Sequence, residues 1–207
     1  MPDFDVLIRN GIIIDGNQTP RFQADLGIVD GRIAGIGRLG RSSANREIDA
    51  SGLIVAPGFI DLHTHYDAQV FWDPHCSTSG WHGVTSVTVG NCGFGLAPVA
   101  EAARERAMQS LTRVEAIPIA AMREALPWDW TDFPGFMSSI TRTPKAMNLM
   151  VFAPLSPFLI EVMGLARAKA GERPTPDEHR LLRQLLHEAM DAGACGWSAQ
   201  VMPPDGP

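Results

Sequence analysis

The sequence predicts an α/β protein in which a small β module precedes parallel strands that are joined by helices. Residues 1–56 contain short apolar runs separated by Asn-Gly and Asp-Gly pairs, which are typical of hairpins because both residue types tolerate positive φ. From residue 57 onward, short apolar strands alternate with helical segments. This alternation favours parallel strands with helical crossovers. We therefore expect two domains, 1–56 and 57–207.

The β module contains five apolar runs, namely Val6–Ile8, Ile12–Ile14, Leu26–Val29, Ile33–Ile36 and Leu53–Val55. Asn10-Gly11, Asp15-Gly16 and Asp30-Gly31 separate several of these runs and predict hairpins between them. We expect an antiparallel module. It is too thin to form a robust core by itself.

The second domain contains four predicted strands, at Phe59–His65, Val84–Val89, Asn148–Phe152 and Ala194–Ala199. Helices are predicted over Val99–Arg113, Phe133–Ile140 and Pro176–Ala192. The last has the clearest signals, because Thr175 is a good N-cap residue and Glu178 completes a capping box with it. In folds of this kind the chemistry lies at the carboxyl ends of the strands.

Composition narrows the classes of partner. The 207 residues carry a net charge of -6 and no basic tract, so we expect neither nucleic acid nor an anionic membrane as a partner. The N-terminus lacks the pattern of a secretory signal, and no apolar run approaches the ~20 residues that span a bilayer. We expect a cytoplasmic protein. Its three cysteines at wide spacings are then expected to be reduced thiols.

Two histidines, His63 and His65, stand at the end of the first predicted strand of the second domain. Residues i and i+2 of a strand point to the same side, so both imidazoles would project together. Two neutral imidazoles held close together are suitable ligands for zinc or a similar divalent ion. The alternative is a pair of histidines at the solvated end of a strand.

Cys92 stands where the second of these strands ends, between Gly90 and Gly93. The glycines allow a tight turn with a close approach of the backbone. A lone cysteine is often a small buried apolar residue, but a thiolate is also a strong zinc ligand. Adjacent parallel strands would bring Cys92 close to His63 and His65. The three residues together predict a metal site much more specifically than any one of them.

Several motifs resemble the amidohydrolase superfamily, and within it the D-aminoacylase (N-acyl-D-amino-acid deacylase) group. They are Ala56-Pro57-Gly58-Phe59-Ile60-Asp61, His63-Thr64-His65-Tyr66-Asp67, His82-Gly83-Val84-Thr85, Gly90-Asn91-Cys92-Gly93, Val114-Glu115-Ala116-Ile117-Pro118, Val162-Met163-Gly164 and Ala192-Gly193-Ala194-Cys195-Gly196-Trp197-Ser198. The similarity spans essentially the whole chain. It implies half of a (β/α)8 barrel, preceded by part of a small β-sandwich that both chain ends build.

The resemblance also implies a site with one or two zinc ions, in which His63 and His65 bind the weaker position and Cys92 the tighter one. Most amidohydrolases use a carboxylated lysine as a bridge, but the two lysines here, Lys145 and Lys169, lie away from the carboxyl ends of strands. Asp61 and Asp67 are candidates for orienting the imidazoles. The alternative for Asp61 is a hydrogen bond that ends the strand.

The expected chemistry is zinc-dependent hydrolysis of amide C–N bonds in a small molecule. Zinc lowers the pKa of a bound water and polarises the scissile carbonyl, and a carboxylate base moves the proton to the leaving amine. By resemblance, that aspartate and two further histidines would follow Pro207. The chain would then be inactive alone.

A half-barrel would expose two parallel edges and apolar helix faces, so we expect an oligomer in which a C-terminal half completes the barrel. That half would be a separate subunit or a fragment cut in the loop-like tail Val201–Pro207. Two alternatives stay open. One is another amide, cyclic amide or urea-like substrate, and the other is a non-catalytic structural or regulatory half of a heteromeric assembly.

Substrate choice depends on loops that are mostly absent here. By resemblance, Leu155 and Leu159 stand near positions where many relatives carry a histidine and an arginine. An arginine there could pair with a substrate carboxylate, so its replacement favours a more apolar amide. A change in packing would explain the two leucines equally well.

Overall fold

A computed structural model describes residues 1–200 of the chain. It divides into two compact units, Met1–Gly58 and a second unit that begins at Phe59. The predicted loop-like tail at residues 201–207 lies outside the described residues.

The first unit is a mixed five-stranded sheet. Its strands are β1 (Phe4–Ile13), β2 (Phe22–Val29), β3 (Arg32–Gly37), β4 (Ala44–Asp49) and β5 (Ile54–Val55). The strand order is β3-β2-β1-β4, and β5 also pairs with β1. The expectation of a purely antiparallel module is wrong, because β4 and β5 both run parallel to β1.

Two of the predicted hairpin signals behave differently. Asp30-Gly31 forms a two-residue hairpin between β2 and β3, with positive φ at both positions as this turn requires. Asn10-Gly11 does not form a hairpin. Strand β1 continues through it with a register shift, because Asn10 takes a φ of 60° and its N–H donates to the Asp25 carboxylate at 2.9 Å. The extra residue is therefore a β-bulge.

The second unit contains four parallel strands. They are β6 (Phe59–Asp61), β7 (Val84–Val89), β8 (Asn148–Pro154) and β9 (Gly196–Ser198). They pair in the order β6-β7-β8-β9, which is the parallel half-barrel sheet expected from the alternation of strands and helices. The paired part of β6 ends at Asp61 and does not reach His65. The following segment still lies against β7, because the Thr64 N–H donates to the Thr88 carbonyl at 3.2 Å.

Helices connect these strands. They are α1 (Ser77–Trp81), α2 (Arg104–Glu115), α3 (Ile119–Ala125), α4 (Phe133–Arg142), α5 (Leu155–Met163), α6 (Leu165–Lys169) and α7 (Pro176–Asp191). The capping box predicted for α7 is confirmed, with Thr175 and Glu178 bonded reciprocally. Helix α2 begins five residues later than predicted, because a 3-10 turn at Glu101–Ala103 precedes it. Helix α5 was not predicted from the sequence, because it follows β8 directly and no side chain caps its N-terminus.

The core of the second unit lies between the sheet and its helices. Val89 and Val151 from neighbouring strands pack in one cluster with Phe133 and Phe136 of α4. Trp130 joins this cluster, and its indole N–H donates to the Leu96 carbonyl at 2.8 Å. This bond fixes the chain that follows the end of β7, where Cys92 lies.

Strands β6 and β9 are the two outermost strands of the sheet. They carry large apolar side chains that solvent reaches: Phe59 is 69% exposed and Trp197 is 57% exposed. No helix among residues 1–200 is both long enough and apolar enough to cross a membrane.

Candidate metal centre

The two histidines follow the end of β6, and the residue between them fixes the segment. Thr64 is buried, and its hydroxyl and its N–H both donate to the Thr88 carbonyl of β7. The Thr64 carbonyl accepts a hydrogen bond from the side-chain amide of Asn91 at 3.0 Å. Because Thr64 points into the protein, His63 and His65 project together, with ring centroids 5.4 Å apart.

Cys92 lies in the turn after β7, in a backbone conformation that few residues adopt. Its φ is 55°, between Gly90 with 76° and Gly93 with 72°. A side chain at Gly90 would collide with the Phe152 carbonyl, so this position requires glycine. A non-glycine residue in the left-handed region costs on the order of 1–3 kcal/mol, and such residues concentrate at functional sites.

Ser198 at the end of β9 stabilises this turn from the other side of β8. Its hydroxyl donates to the Gly90 carbonyl and accepts the Gly93 N–H, the latter at 2.9 Å. The two bonds lie on either side of Cys92. No sequence pattern indicates these bonds, because a serine at a strand end has many other uses.

The turn brings the thiol to the histidines. The Cys92 Sγ lies 3.1 Å from the His63 Nε2, and one donor atom each from His63, His65 and Cys92 lie within 4.8 Å of one another. Two ligands of one tetrahedral zinc ion are about 3.4 Å apart, since each is ~2.0–2.3 Å from the metal. The structure therefore brings together all three residues that the sequence singled out.

The polar groups at this site fit a cation. The Nδ1 atom of His65 is buried and has no hydrogen-bond partner among the described residues. Burial lowers the pKa of the His65 imidazole, which favours the neutral form that binds metals, and the nearby His63 lowers it further while Glu115 raises it. Imidazole nitrogen and thiolate sulfur are the donors that zinc prefers.

Asp61 and Asp67, the candidates for orienting the imidazoles, bond to backbone N–H groups. Asp61 accepts a hydrogen bond from the His63 N–H at 3.1 Å. This agrees with the alternative role of Asp61, a hydrogen bond that ends the strand. Asp67 is 1% exposed, and one of its oxygens accepts the Gly90 N–H at 2.8 Å. Burial raises the pKa of Asp67 to about 7. The structure gives neither aspartate a hydrogen bond to an imidazole; each orients the chain that carries a predicted ligand.

Glu115 is a residue of this site that sequence reasoning did not single out. It is the last residue of α2, and its Oε1 atom lies 3.5 Å from the His65 Nε2. Fifty positions separate the two residues, so no spacing rule pairs them. The available signal was the motif Val114-Glu115-Ala116-Ile117-Pro118, in which Glu115 is the one titratable residue.

The other titratable residues of interest lie elsewhere. The ammonium group of Lys145 donates to the carbonyls of Ile140 and Thr143, before β8 begins. Lys169 is the last residue of α6 and lines a cavity of about 280 Å³ between α2 and α5. Phe94 and Leu159 also line this cavity. Lys145 therefore stays away from the carboxyl ends of the strands, as expected, whereas Lys169 lines a cavity formed in part by the segments that follow β7 and β8.

Residues 46–134 match the Amidohydrolase family. D-aminoacylase of Alcaligenes xylosoxydans xylosoxydans is 36% identical to this chain over 202 residues, which are 97% of this chain and 38% of that protein. The chain is therefore similar to an amidohydrolase over nearly its whole length. The similarity to D-aminoacylase covers both structural units, and so extends beyond the residues that match the family.

Solved amidohydrolases have the same fold over this part of their length. A D-aminoacylase structure that addresses the role of its binuclear metal center has a TM-score of 0.79 and 32% identity, over 97% of this chain and 39% of that one. N-acyl-D-glutamate deacylase from Bordetella bronchiseptica, complexed with zinc and a phosphonate inhibitor, has a TM-score of 0.78 and 32% identity. That match covers 98% of this chain and 40% of the other. The chain thus spans about two fifths of the length of these relatives.

Proposed function

We propose that this chain forms one side of the active site of a zinc-dependent hydrolase of amide C–N bonds, of the N-acyl-D-amino-acid deacylase type. One observation carries the proposal: donor atoms of His63, His65 and Cys92 lie within 4.8 Å of one another at the carboxyl ends of neighbouring parallel strands. Relatives that share this fold include a deacylase complexed with zinc and a mimic of its tetrahedral intermediate.

In this proposal, His63, His65 and Cys92 hold one or two zinc ions. When bound, zinc supplies an activated water and polarises the amide carbonyl. The residues of this chain keep the donors in position: Thr64 anchors the segment that carries the two histidines, and Ser198 and Asp67 hold the ends of the Cys92 turn. An aspartate that moves the proton to the leaving amine belongs to the part of the barrel that other strands provide.

We propose that further β/α units close the sheet at β6 and β9. An eight-stranded barrel has no open edges, whereas both outer strands here carry exposed apolar residues, including Phe59 and Trp197. A separate subunit or the C-terminal part of a longer or cleaved polypeptide would supply these units. Either source would also supply the proton-transferring aspartate.

The substrate that we propose is an N-acyl-D-amino acid with an apolar side chain. Leu159 lines the cavity that also contains Phe94, two residues after Cys92. A leucine cannot pair with a carboxylate as an arginine can, which favours an apolar group beside Leu159. Arg106 and Lys169 line the same cavity and supply positive charge for the carboxylate that every N-acyl amino acid carries.

Metal analysis tests the centre itself. The 207-residue chain should retain zinc after dialysis, Cys92→Ala should lose it with the fold preserved by circular dichroism, and the control Cys195→Ala should keep it. Equal zinc in the chain and in Cys92→Ala would overturn the assignment of the ligands.

Activity tests the chemistry. The zinc-loaded assembly of this chain with the units that close its barrel should hydrolyse N-acetyl-D-leucine in preference to the L isomer and to N-acetyl-D-glutamate. Hydrolysis of only cyclic amides or ureas would replace the proposed substrate. An assembly that binds zinc and hydrolyses none of these compounds would favour a structural or regulatory role.

A further inference from the structure

Glu115 places a carboxylate beside one of the proposed zinc ligands. Its Oε1 atom lies 3.5 Å from the His65 Nε2, and both side chains are largely shielded, with 24% of Glu115 and 14% of His65 exposed. The pair lacks the linear geometry of a hydrogen bond from the ring N–H. The Nδ1 atom of the same ring is the one without a partner, so the carboxylate acts by its charge on the nitrogen opposite the one that is free for a cation.

The position of Glu115 does not help its own helix. The last turn of a helix is the negative end of its dipole, where an acidic side chain is unfavourable by about 0.3–1 kcal/mol. The next residue, Ala116, has a φ of 55°, a conformation that costs a non-glycine residue about 1–2 kcal/mol. An acidic residue at the helix end and a positive φ in the next residue are both unfavourable for the helix. We conclude that the carboxylate at position 115 serves something other than helix stability.

The carboxyl groups near His65 have no Lys or Arg partner among residues 1–200. Asp67 is buried, and its Oδ2 atom has no hydrogen-bond partner among the described residues. No Lys or Arg within residues 1–200 forms an ion pair with Glu115 or Asp67. Shielded carboxyl groups without a basic partner are costly, and a divalent ion would compensate their charge.

We infer that Glu115 is a positioning residue of the metal centre, whose carboxylate holds the His65 imidazole and strengthens the binding of a divalent cation there. The inference rests on the proposed function, because it requires that His65 belongs to a metal site. Residues that orient metal ligands in this way typically contribute about 10- to 100-fold to metal affinity.

Cobalt binding to the 207-residue chain tests the inference, because a cobalt–thiolate absorption band reports Cys92 directly. Glu115→Gln preserves the shape of the side chain and removes its charge. We expect its cobalt affinity to fall about 10- to 100-fold while the thiolate band is retained at saturation. The control Glu124→Gln changes an exposed glutamate of α3 and should bind cobalt as the unaltered chain does.

The melting temperature of Glu115→Gln without metal shows whether Glu115 positions His65 or stabilises the fold. Glu115→Gln removes an unfavourable charge from the end of α2, so its metal-free melting temperature should equal or exceed that of the unaltered chain. Higher stability together with weaker cobalt binding supports the inference, since a structural residue would lower both.

Two outcomes would overturn the inference about Glu115, and they differ in what they mean for the proposed function. Unchanged cobalt affinity in Glu115→Gln, with loss of the thiolate band in Cys92→Ala, removes Glu115 from the site and leaves the proposed function standing. Absence of cobalt binding by the unaltered chain, also when the units that close its barrel are present, removes both.

Discussion

The hydroxyl of Ser198 donates to the carbonyl of Gly90, although 108 positions separate the two residues in the chain. The same oxygen accepts the Gly93 N–H, so one side chain holds both ends of the turn that carries Cys92. The conformation of the thiol therefore depends on the last described strand of the sheet.

Ser198→Ala should weaken the metal centre without unfolding the unit. The change leaves two backbone groups without their partner, which costs about 1–3 kcal/mol of stability, and it lowers zinc affinity about tenfold by loosening Cys92. Competition with a chromophoric chelator measures the affinity. Ser110→Ala removes a comparable half-buried hydroxyl from α2 and serves as the control. If both variants bound zinc equally well, the bonds to Ser198 would have no role in positioning the thiol.

Gly90→Ala should be more damaging than an alanine at another glycine with positive φ. Gly90 has a φ of 76° and its Cβ would collide with the Phe152 carbonyl, whereas Gly171 has a φ of 67° and open space around it. Gly171→Ala should cost about 1–2 kcal/mol, and Gly90→Ala should cost about 1–3 kcal/mol more because backbone must move. Denaturant unfolding of both variants measures the difference. Equal losses would mean that the β7–β8 contact relaxes freely.

The three cysteines should differ in reactivity. Cys76 is fully buried, and burial raises the pKa of its thiol to about 11, so only about one thiol in a thousand is ionised near pH 8. Alkylation with iodoacetamide, followed by peptide mass spectrometry, should label the exposed Cys195 and the half-buried Cys92 well before Cys76. Zinc should protect Cys92 alone. Protection of Cys195 by zinc would point to a different ligand.

The stability of α7 should depend on pH through Glu178. Hydrogen bonds from Arg167 and from the Thr175 N–H lower the pKa of the Glu178 carboxyl from 4.5 to about 2. A carboxyl whose pKa is lower in the folded state stabilises the fold above its unfolded pKa, and this contribution disappears as the pH falls from about 4.5 toward 2.

Glu178→Gln should therefore lower the melting temperature at neutral pH, and the difference from the unaltered chain should shrink as the pH falls to about 3. Arg167→Gln removes the partner and should reduce the same pH-dependent difference. If the difference in melting temperature between Glu178→Gln and the unaltered chain stayed constant from neutral pH to about pH 3, the ion pair would not be its cause.

The sequence predicted the parts of the fold that follow from local pattern. Strand β7 was located correctly because its six residues are bounded by turn signals, and α7 because Thr175 and Glu178 form a capping box. His63, His65 and Cys92 were grouped because parallel strands end at one edge of a sheet. That rule needs no knowledge of distant contacts.

The parts that were missed depend on contacts between distant segments. Asn10-Gly11 has the pattern of a hairpin, but Asp25 bonds the Asn10 N–H and β1 continues through it. Glu115 and Ser198 reach the site only after helix α2 and strand β9 have packed. Neither residue type indicates such a role by itself.

The two histidines follow β6, which is an outer strand of the described sheet. In the proposed assembly, the seam between this chain and the units that close the barrel would therefore run directly beside the metal. Separation of the two parts would open the centre along one whole side and admit bulk water to the zinc. Where a separate subunit or a cleaved fragment supplies these units, catalytic activity should fall on dilution as the parts dissociate, and the turnover rate would report the fraction of closed barrels.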